Sequence, residues 1–229
     1  MIPDTRPIRV LLVDDHHLLT DSLKLLLDAE PDIEVMGVAG TVAEAKRLSR
    51  TRMDVVQMDY RLPDGTGAEA TRVVKNRWPK ARVVMLTAVH DDETVLESIQ
   101  AGADGYLTKD RAAEDVVATV RSARAGETLL PRSVILGIAQ RVMTSRDRST
   151  DDRPTFEPLT ARELEVLRAL ADGLATPEIS ERLSISRNTL RTHVQNIMMK
   201  LDVHSKLEAV TVALRYRIID PPRSDDHLY

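Results

Sequence analysis

Residues 9–125 alternate short β-branched runs with segments of helical period, and this alternation narrows the fold more than any other property of the chain. The runs Arg9–Val13, Ile33–Ala39, Val55–Met58, Arg82–Thr87 and Gly105–Thr108 read as strands. Between them, Leu18–Ala29, Thr41–Arg50, Gly67–Arg77, Asp91–Ala101 and Ala112–Ala125 read as helices. Five βα units in succession predict a parallel sheet, because parallel neighbours need crossover connections and those crossovers pack as helices on both faces. Val10-Leu11-Leu12-Val13 is apolar throughout, as a strand covered on both faces should be. Thr41-Val42-Ala43-Glu44 has the form of a capping box and opens the second helix.

The residues that follow these runs carry the chemistry. Asp14 and Asp15 follow the first, Asp59 the third, Thr87 closes the fourth and Lys109 follows the fifth, whereas the second has no polar equivalent. In a parallel sheet these positions share one edge, and ligands bind there, at the point where the strand order reverses. For the order 2-1-3-4-5 that point lies between strands one and three, where the carboxylates gather. Clustered carboxylates stay ionised only with a cation among them. Mg²⁺ takes oxygen ligands of this kind. A carboxylate such as Asp59 can attack a phosphoryl group, Lys109 can neutralise phosphoryl oxygens, and the Thr87 hydroxyl can donate to them. Ala88 is small and leaves room. The pattern predicts a magnesium-dependent phosphate-handling site, compatible with an enzyme or with a switch. Asp64 is assigned to the Pro63–Gly67 turn, Trp78 to loop packing, and His16, His17 and His90 to surface or cap positions. Gln57 interrupts an apolar run and suggests a face that is less than fully buried.

The second half of the chain changes character. Residues 131–143 (Val134, Ile135, Ile138, Val142) fit an amphipathic helix, and residues 144–158 form a polar stretch with two prolines that reads as a linker. From Thr160 onward the period is helical only. Thr160-Ala161-Arg162-Glu163 and Ser205-Lys206-Leu207-Glu208 are capping boxes, Thr176-Pro177 looks like a cap followed by Pro at the first helical position, and Ser186 caps a longer helix reaching about Leu201. Two short helices joined tightly, the second longer, make a helix-turn-helix pattern. Leu190, Val194, Ile197 and Leu201 line one face of that longer helix, and Arg187, Arg191 and Gln195 another. Between Arg182 and Lys200 there are four Lys/Arg and no Asp or Glu. This local basic stripe matters because the chain as a whole carries a formal charge of −4 and has no global field to hold nucleic acid. Met198-Met199 is assigned mostly to the core.

Zero Cys excludes disulfides, thiolate metal sites and Cys nucleophiles. No apolar run approaches the roughly 20 residues of a membrane helix, and the N-terminus lacks a signal-peptide pattern. A soluble, cytoplasmic protein without a membrane partner is expected.

The stretches Leu12-Val13-Asp14-Asp15-His16, Val55-Val56-Gln57-Met58-Asp59-Tyr60-Arg61-Leu62-Pro63-Asp64-Gly65-Thr66-Gly67, Leu86-Thr87-Ala88 and Gly102-Ala103-Asp104-Gly105-Tyr106-Leu107-Thr108-Lys109 resemble the receiver domain of two-component response regulators. Leu159-Thr160-x-Arg162-Glu163-x-Glu165-Val166-Leu167, Glu178-Ile179-Ser180-x-x-Leu183-x-Ile185-Ser186 and Thr189-Leu190-x-x-His193-x-x-x-Ile197-x-x-Lys200-Leu201 look like a LuxR-type helix-turn-helix domain. Together they place the chain in the NarL/FixJ class. The resemblance implies a flavodoxin-like, doubly wound five-stranded receiver over residues 8–126 and a linker over 127–157. It then implies an all-α four-helix DNA-binding domain over 158–217 and a tail over 218–229. It implies that Asp59 is the phosphoacceptor for a sensor histidine kinase, and that Asp14, Asp15, Asp59 and the Arg61 backbone carbonyl hold Mg²⁺. Lys109 and Thr87 would stabilise the phosphoryl group, with Thr87 and Tyr106 as the switch pair. By position in the family pattern, Arg191, Thr192 and Gln195 would read bases of double-stranded DNA, and Arg187, Thr189 and Lys200 would touch phosphates. Leu207, Val210, Thr211 and Leu214 would serve a homodimer favoured by phosphorylation. The protein is then a transcription factor and no enzyme. Two departures from the common patterns are Asp110, where many receivers have Pro, and Leu190, where Val is usual. Haloacid-dehalogenase-type phosphatases, the rival class, need a second Asp two residues after the nucleophile, and Arg61 stands there. A receiver governed by a ligand or protein partner instead of phosphorylation is the other alternative.

Overall fold

The computed structural model describes residues 6–48, 52–87, 92–127 and 156–221. The chain divides into two compact units, residues 1–129 and 130–229.

In the first unit, β1 (Ile8–Val13), α1 (His17–Asp28), β2 (Ile33–Ala39), α2 (Val42–Leu48) and β3 (Val55–Asp59) are followed by a small hairpin, β4 (Arg61–Leu62) and β5 (Gly65–Thr66). Then come α3 (Gly67–Arg77), β6 (Arg82–Thr87), α4 (Asp92–Gln100), β7 (Gly105–Thr108) and α5 (Lys109–Ala125). The five long strands form one parallel sheet in the order β2-β1-β3-β6-β7. This is the reversal between β1 and β3 that the strand pattern anticipated. The sheet is apolar on both sides, because side chains alternate faces along each strand. Val10, Leu12, Val55, Val84 and Leu86 pack with Leu23 and Leu27 of α1 and Val116, Val120 and Ala123 of α5. Leu11, Val13, Val56, Met58, Val83 and Met85 alternate with them along the strands and are equally buried.

Gln57 departs from its expectation. It is fully buried, level with Leu12 of β1 and Val84 of β6, and neither polar atom of its amide has a hydrogen-bond partner. The strand position, central in the sheet, outweighs the polarity of the side chain. The hairpin of β4 and β5 was also not anticipated. Lys109 belongs to the first turn of α5, which starts directly after β7.

In the second unit, α6 (Ala161–Ala171), α7 (Thr176–Arg182), α8 (Arg187–Lys200) and α9 (Lys206–Arg215) surround a core that includes Val166, Leu167, Leu170, Ile179, Leu190, Val194 and Ile197. The Thr160–Glu163 capping box is present in both directions. Gly173, with φ +77°, lets the chain leave α6 in the left-handed conformation that a side chain would disfavour. At α7 the cap is Ala175, not Thr176: Glu178 Oε2 accepts from the Ala175 N–H at 2.6 Å, and Pro177 falls one position later than expected. Ser186 and Ser205 cap α8 and α9 through the N–H groups of Thr189 and Glu208. The helix expected over 131–143 lies outside the described residues, as does the linker expected over 144–158 except for its last three residues.

Candidate phosphoacceptor site and nucleic-acid interface

The register of the parallel strands delivers Asp14, just past β1, and Asp59, at the end of β3, to one edge of the sheet. Their exposures are 1% and 4%. Lys109 reaches both, with Nζ 2.9 Å from Asp59 Oδ2 in a hydrogen bond and 2.7 Å from Asp14 Oδ2. The contact with Asp14 is a close ion pair without hydrogen-bond geometry, since that oxygen has no hydrogen-bond partner. Burial pushes the Asp59 carboxyl above its ordinary value; the Lys109 bond pulls it back and the neighbouring Asp14 charge adds to the rise. Burial works against the Lys109 ammonium, but its close contacts with the Asp14 and Asp59 carboxylates outweigh that and hold it above its ordinary value.

His16 holds the surface and cap position assigned to it, as the N-cap of α1 with a side chain 66% exposed. Its Nδ1 also lies 2.9 Å from Asp14 Oδ1 and 2.8 Å from Asp15 Oδ1. Its backbone N–H also donates to Asp14 Oδ1. One ligand atom each from Asp14, Asp15, His16 and Asp59 can be chosen within 4.8 Å of one another. The turn after β1 folds His16 back on the carboxylates that precede it in the chain.

These residues fit a divalent cation. Asp14 Oδ2 and Asp15 Oδ1 are buried oxygens that make no hydrogen bond, and the groups beside them are the Lys109 ammonium at 2.7 Å and His16 Nδ1 at 2.8 Å, so each keeps acceptor capacity for a cation. Three carboxylates and one ammonium leave two negative charges, which a hard dication would neutralise.

The loop after Asp59 is tightly determined. Gly67 N–H donates to the Tyr60 carbonyl at 2.7 Å, and a Cβ on Gly67 would stand 2.2 Å from the Asp59 carbonyl oxygen. Only glycine fits there. Thr66 and Glu69 form a reciprocal capping box for α3. Asp64 does not serve its own turn; its carboxylate accepts from the backbone of Val42 and Ala43 at the start of α2. Tyr60, next to Asp59, donates its phenol to Glu97 Oε2 of α4 at 2.5 Å. Tyr106 in β7 is buried and donates to the Thr94 carbonyl of α4 at 3.3 Å, and burial pushes its phenol well above the usual value. Two phenols thus tie α4 to the site edge. Thr87 closes β6 in register with Thr108, while the role expected of its hydroxyl lies outside the described side chains. Ala88 and His90 lie outside the described residues.

In the helical unit, α8 buries Leu190, Val194 and Ile197 and exposes Arg187, Thr189, Arg191, Thr192 and Gln195. Neither Arg187 nor Arg191 forms an ion pair among the described residues, so both guanidinium groups face solvent unneutralised. Lys200 differs. Its side chain is 14% exposed, and its ammonium lies 2.8 Å from Glu163 Oε2 and 3.2 Å from the Pro158 carbonyl, bracing α8 against α6. It does not stand with the open arginines. Burial raises Glu163, but the Lys200 and Thr160 bonds outweigh it and hold the carboxyl below its ordinary value. Met199 is 70% exposed, contrary to its core assignment. Leu207, Val210, Thr211 and Leu214 are all buried, and Val210 and Leu214 belong to the core cluster, so this stripe is not an open surface.

A five-stranded doubly wound sheet with an acidic pocket at its reversal point, on one chain with a helix-turn-helix unit, defines a receiver coupled to a DNA-binding output. Residues 10–121 match the family described as the response regulator receiver domain, and residues 157–213 match the luxR family of bacterial regulatory proteins. The transcriptional regulatory protein LiaR of Bacillus subtilis is 36% identical over 93% of this chain and 100% of its own length. The DNA-binding transcriptional activator DevR/DosR of Mycobacterium tuberculosis is 33% identical over 94% of this chain and 98% of its own length. A crystal structure of a LuxR-family two-component response regulator from Aurantimonas sp. superposes with a TM-score of 0.54 at 31% identity, covering 60% of this chain and 99% of that one. The chain belongs to the NarL/LuxR family of response regulators. It is a transcriptional regulator rather than a phosphatase, and its two domains imply a kinase upstream and DNA downstream. Receivers bind Mg²⁺ at an acidic pocket of this kind. No helix among the described residues is long and apolar enough to cross a membrane.

Proposed function

We propose that Asp59 accepts a phosphoryl group from a sensor histidine kinase and that this modification controls DNA binding by the second domain. The observation that carries the proposal is the buried Asp59 carboxylate held by Lys109 beside Asp14. An Asp59 oxygen forms the new P–O bond as the P–N bond of the donor phosphohistidine breaks, its electron pair leaving on the imidazole. Asp14, Asp15, Asp59 and the Arg61 carbonyl hold Mg²⁺, which supplies charge neutralisation to the transferring group. Lys109 moves from ion-pairing two carboxylates to holding a phosphoryl oxygen, and the Thr87 hydroxyl donates to another. Thr87 and Tyr106 report the change, and α4, tied through Tyr60 and Tyr106, shifts with them.

On the output side, Arg191, Thr192 and Gln195 read base edges in the major groove, while Arg187 and Thr189 contact phosphates. Lys200 supports the helix from behind. Phosphorylation favours two copies on DNA, reading half-sites about 34 Å apart. With Leu207, Val210, Thr211 and Leu214 buried, a dimer contact through α9 requires a rearrangement that uncovers them. The protein works in the cytoplasm, where kinase and DNA meet. Incubation with Mg²⁺ and acetyl phosphate should add one phosphate mass at Asp59, labile in base. A protein that stays unmodified at Asp59 would return the receiver to control by a ligand or protein partner.

A further inference from the structure

Asp64 stands five residues beyond Asp59, at the tip of the β4–β5 hairpin, and holds the N-terminus of a helix more than twenty residues earlier in the chain. Its Oδ1 accepts from Val42 N–H at 2.7 Å and its Oδ2 from Ala43 N–H at 3.0 Å. Thr41 Oγ1 takes the next donor, Glu44 N–H, at 3.1 Å, so the first three N–H groups of α2 are satisfied, two of them by Asp64. The same elements also pass close to each other, since a Cβ built on Gly65 would stand 3.1 Å from Val42 Cγ2.

The start of α2 also borders the acidic turn. The Cβ position of Gly40 lies 3.8 Å from Asp15 Cα and 4.0 Å from the Asp14 carbonyl. The segment leading into α2 therefore touches the Asp14–Asp15 turn on one side and the hairpin that carries Arg61 on the other. The two parts of the site are held unequally. Asp14 and Asp59 extend from central strands of the sheet. Arg61 lies in a ribbon of two residues per strand, and such a ribbon has little stability of its own. Gly67 and the Thr66–Glu69 box fix where that ribbon enters α3. Asp64 fixes its far end.

We propose that Asp64 is a positioning residue for the metal site: by clamping the hairpin tip to α2, it sets where the Arg61 carbonyl stands relative to Asp14 and Asp59, and thereby sets Mg²⁺ affinity. It touches neither the ion nor the phosphoryl group. Mg²⁺ demands near-octahedral ligands at about 2.0–2.1 Å and tolerates a displaced oxygen poorly. A loose hairpin therefore weakens binding although all three carboxylates remain in place. The inference rests on the metal assignment proposed above.

Calorimetric titration of Mg²⁺ into the full chain separates the possibilities. Asp64→Ala is expected to bind Mg²⁺ about tenfold more weakly than the wild type, at the low end for partners that orient metal ligands. Asp64→Asn keeps one acceptor oxygen and is expected to fall between the two. Thr41→Ala removes the other cap of α2 without touching the hairpin and should bind Mg²⁺ like the wild type. With acetyl phosphate as donor, Asp64→Ala should need more Mg²⁺ for half-maximal phosphorylation but reach the wild-type rate at saturation. Unchanged Mg²⁺ affinity in Asp64→Ala, or an equal loss in Thr41→Ala, would overturn the positioning role while leaving the metal site standing. A wild type that takes up no Mg²⁺ would remove the metal assignment and the role of Asp64 together.

Discussion

Replacing Gln57 by Met should stabilise the receiver. The amide is 0% exposed, its Nε2 and Oε1 both lack partners, and its strand neighbours are Leu12 and Val84. Each unsatisfied buried polar group costs about 1–3 kcal/mol, whereas an apolar side chain of the same shape carries no such penalty. Met is unbranched like Gln and changes the volume little, so overpacking is minor. A net gain of roughly 2 kcal/mol follows, after allowing for imperfect fit. With a urea slope of about 2 kcal/mol/M for a domain of this size, the midpoint should rise by about 1 M. Trp78 is the only tryptophan in the chain and sits at the end of α3, so its fluorescence reports receiver unfolding in the intact protein. A midpoint that stays put or falls in Gln57→Met would refute the reasoning and show that the amide has a partner, such as a buried water.

Other perturbations test other parts of the structure. Gly67→Ala forces a Cβ to within 2.2 Å of the Asp59 carbonyl and 2.9 Å of Met85 Cε, and should lower receiver stability by about 2 kcal/mol or more in the same urea assay. Lys200→Met leaves the Glu163 carboxylate buried without its cation and should cost the helical unit about 3 kcal/mol at pH 7, measured by circular dichroism during denaturation. Because the folded state holds Glu163 below its ordinary value of 4.5, its contribution is complete above that pH and is lost as pH falls through the folded value. The wild-type helical unit should therefore lose stability in that acidic window, and Lys200→Met should lose less there. Arg191→Ala should weaken specific DNA binding about tenfold or more without altering phosphorylation, as judged by fluorescence anisotropy on a selected duplex.

The sheet was legible in the sequence because each strand is a short apolar run and each crossover has a helical period, so local pattern and global topology agree. The acidic pocket was legible for the same reason: Asp14, Asp59 and Lys109 adjoin strands whose parallel direction sends them to one edge. What could not be read depends on contacts between distant residues or on elements too short to show a period. The β4–β5 hairpin has two residues per strand and leaves no alternation to detect. Asp64 belongs to α2 through bonds spanning 21 and 22 residues, and no local motif encodes them. The polarity of Gln57 points to a partly open face, whereas its place in a central strand buries it. Lys200 belongs to the basic stripe by charge and spacing alone, and only the folded chain sets Glu163 beside it, while the Leu207–Leu214 stripe suits a dimer as well as a core. For an amphipathic helix, sequence identifies the apolar face but not what covers it.

The most direct measurement compares DNA bound by the full chain with and without phosphorylation. Genomic fragments selected by the wild type, before and after treatment with Mg²⁺ and acetyl phosphate, can be sequenced alongside those selected by Asp59→Asn. The phosphorylated wild type should enrich a defined set of sites that the untreated protein and Asp59→Asn retain weakly. Identical enrichment in all three samples would contradict a switch at Asp59, even if the helix-turn-helix unit still bound DNA specifically.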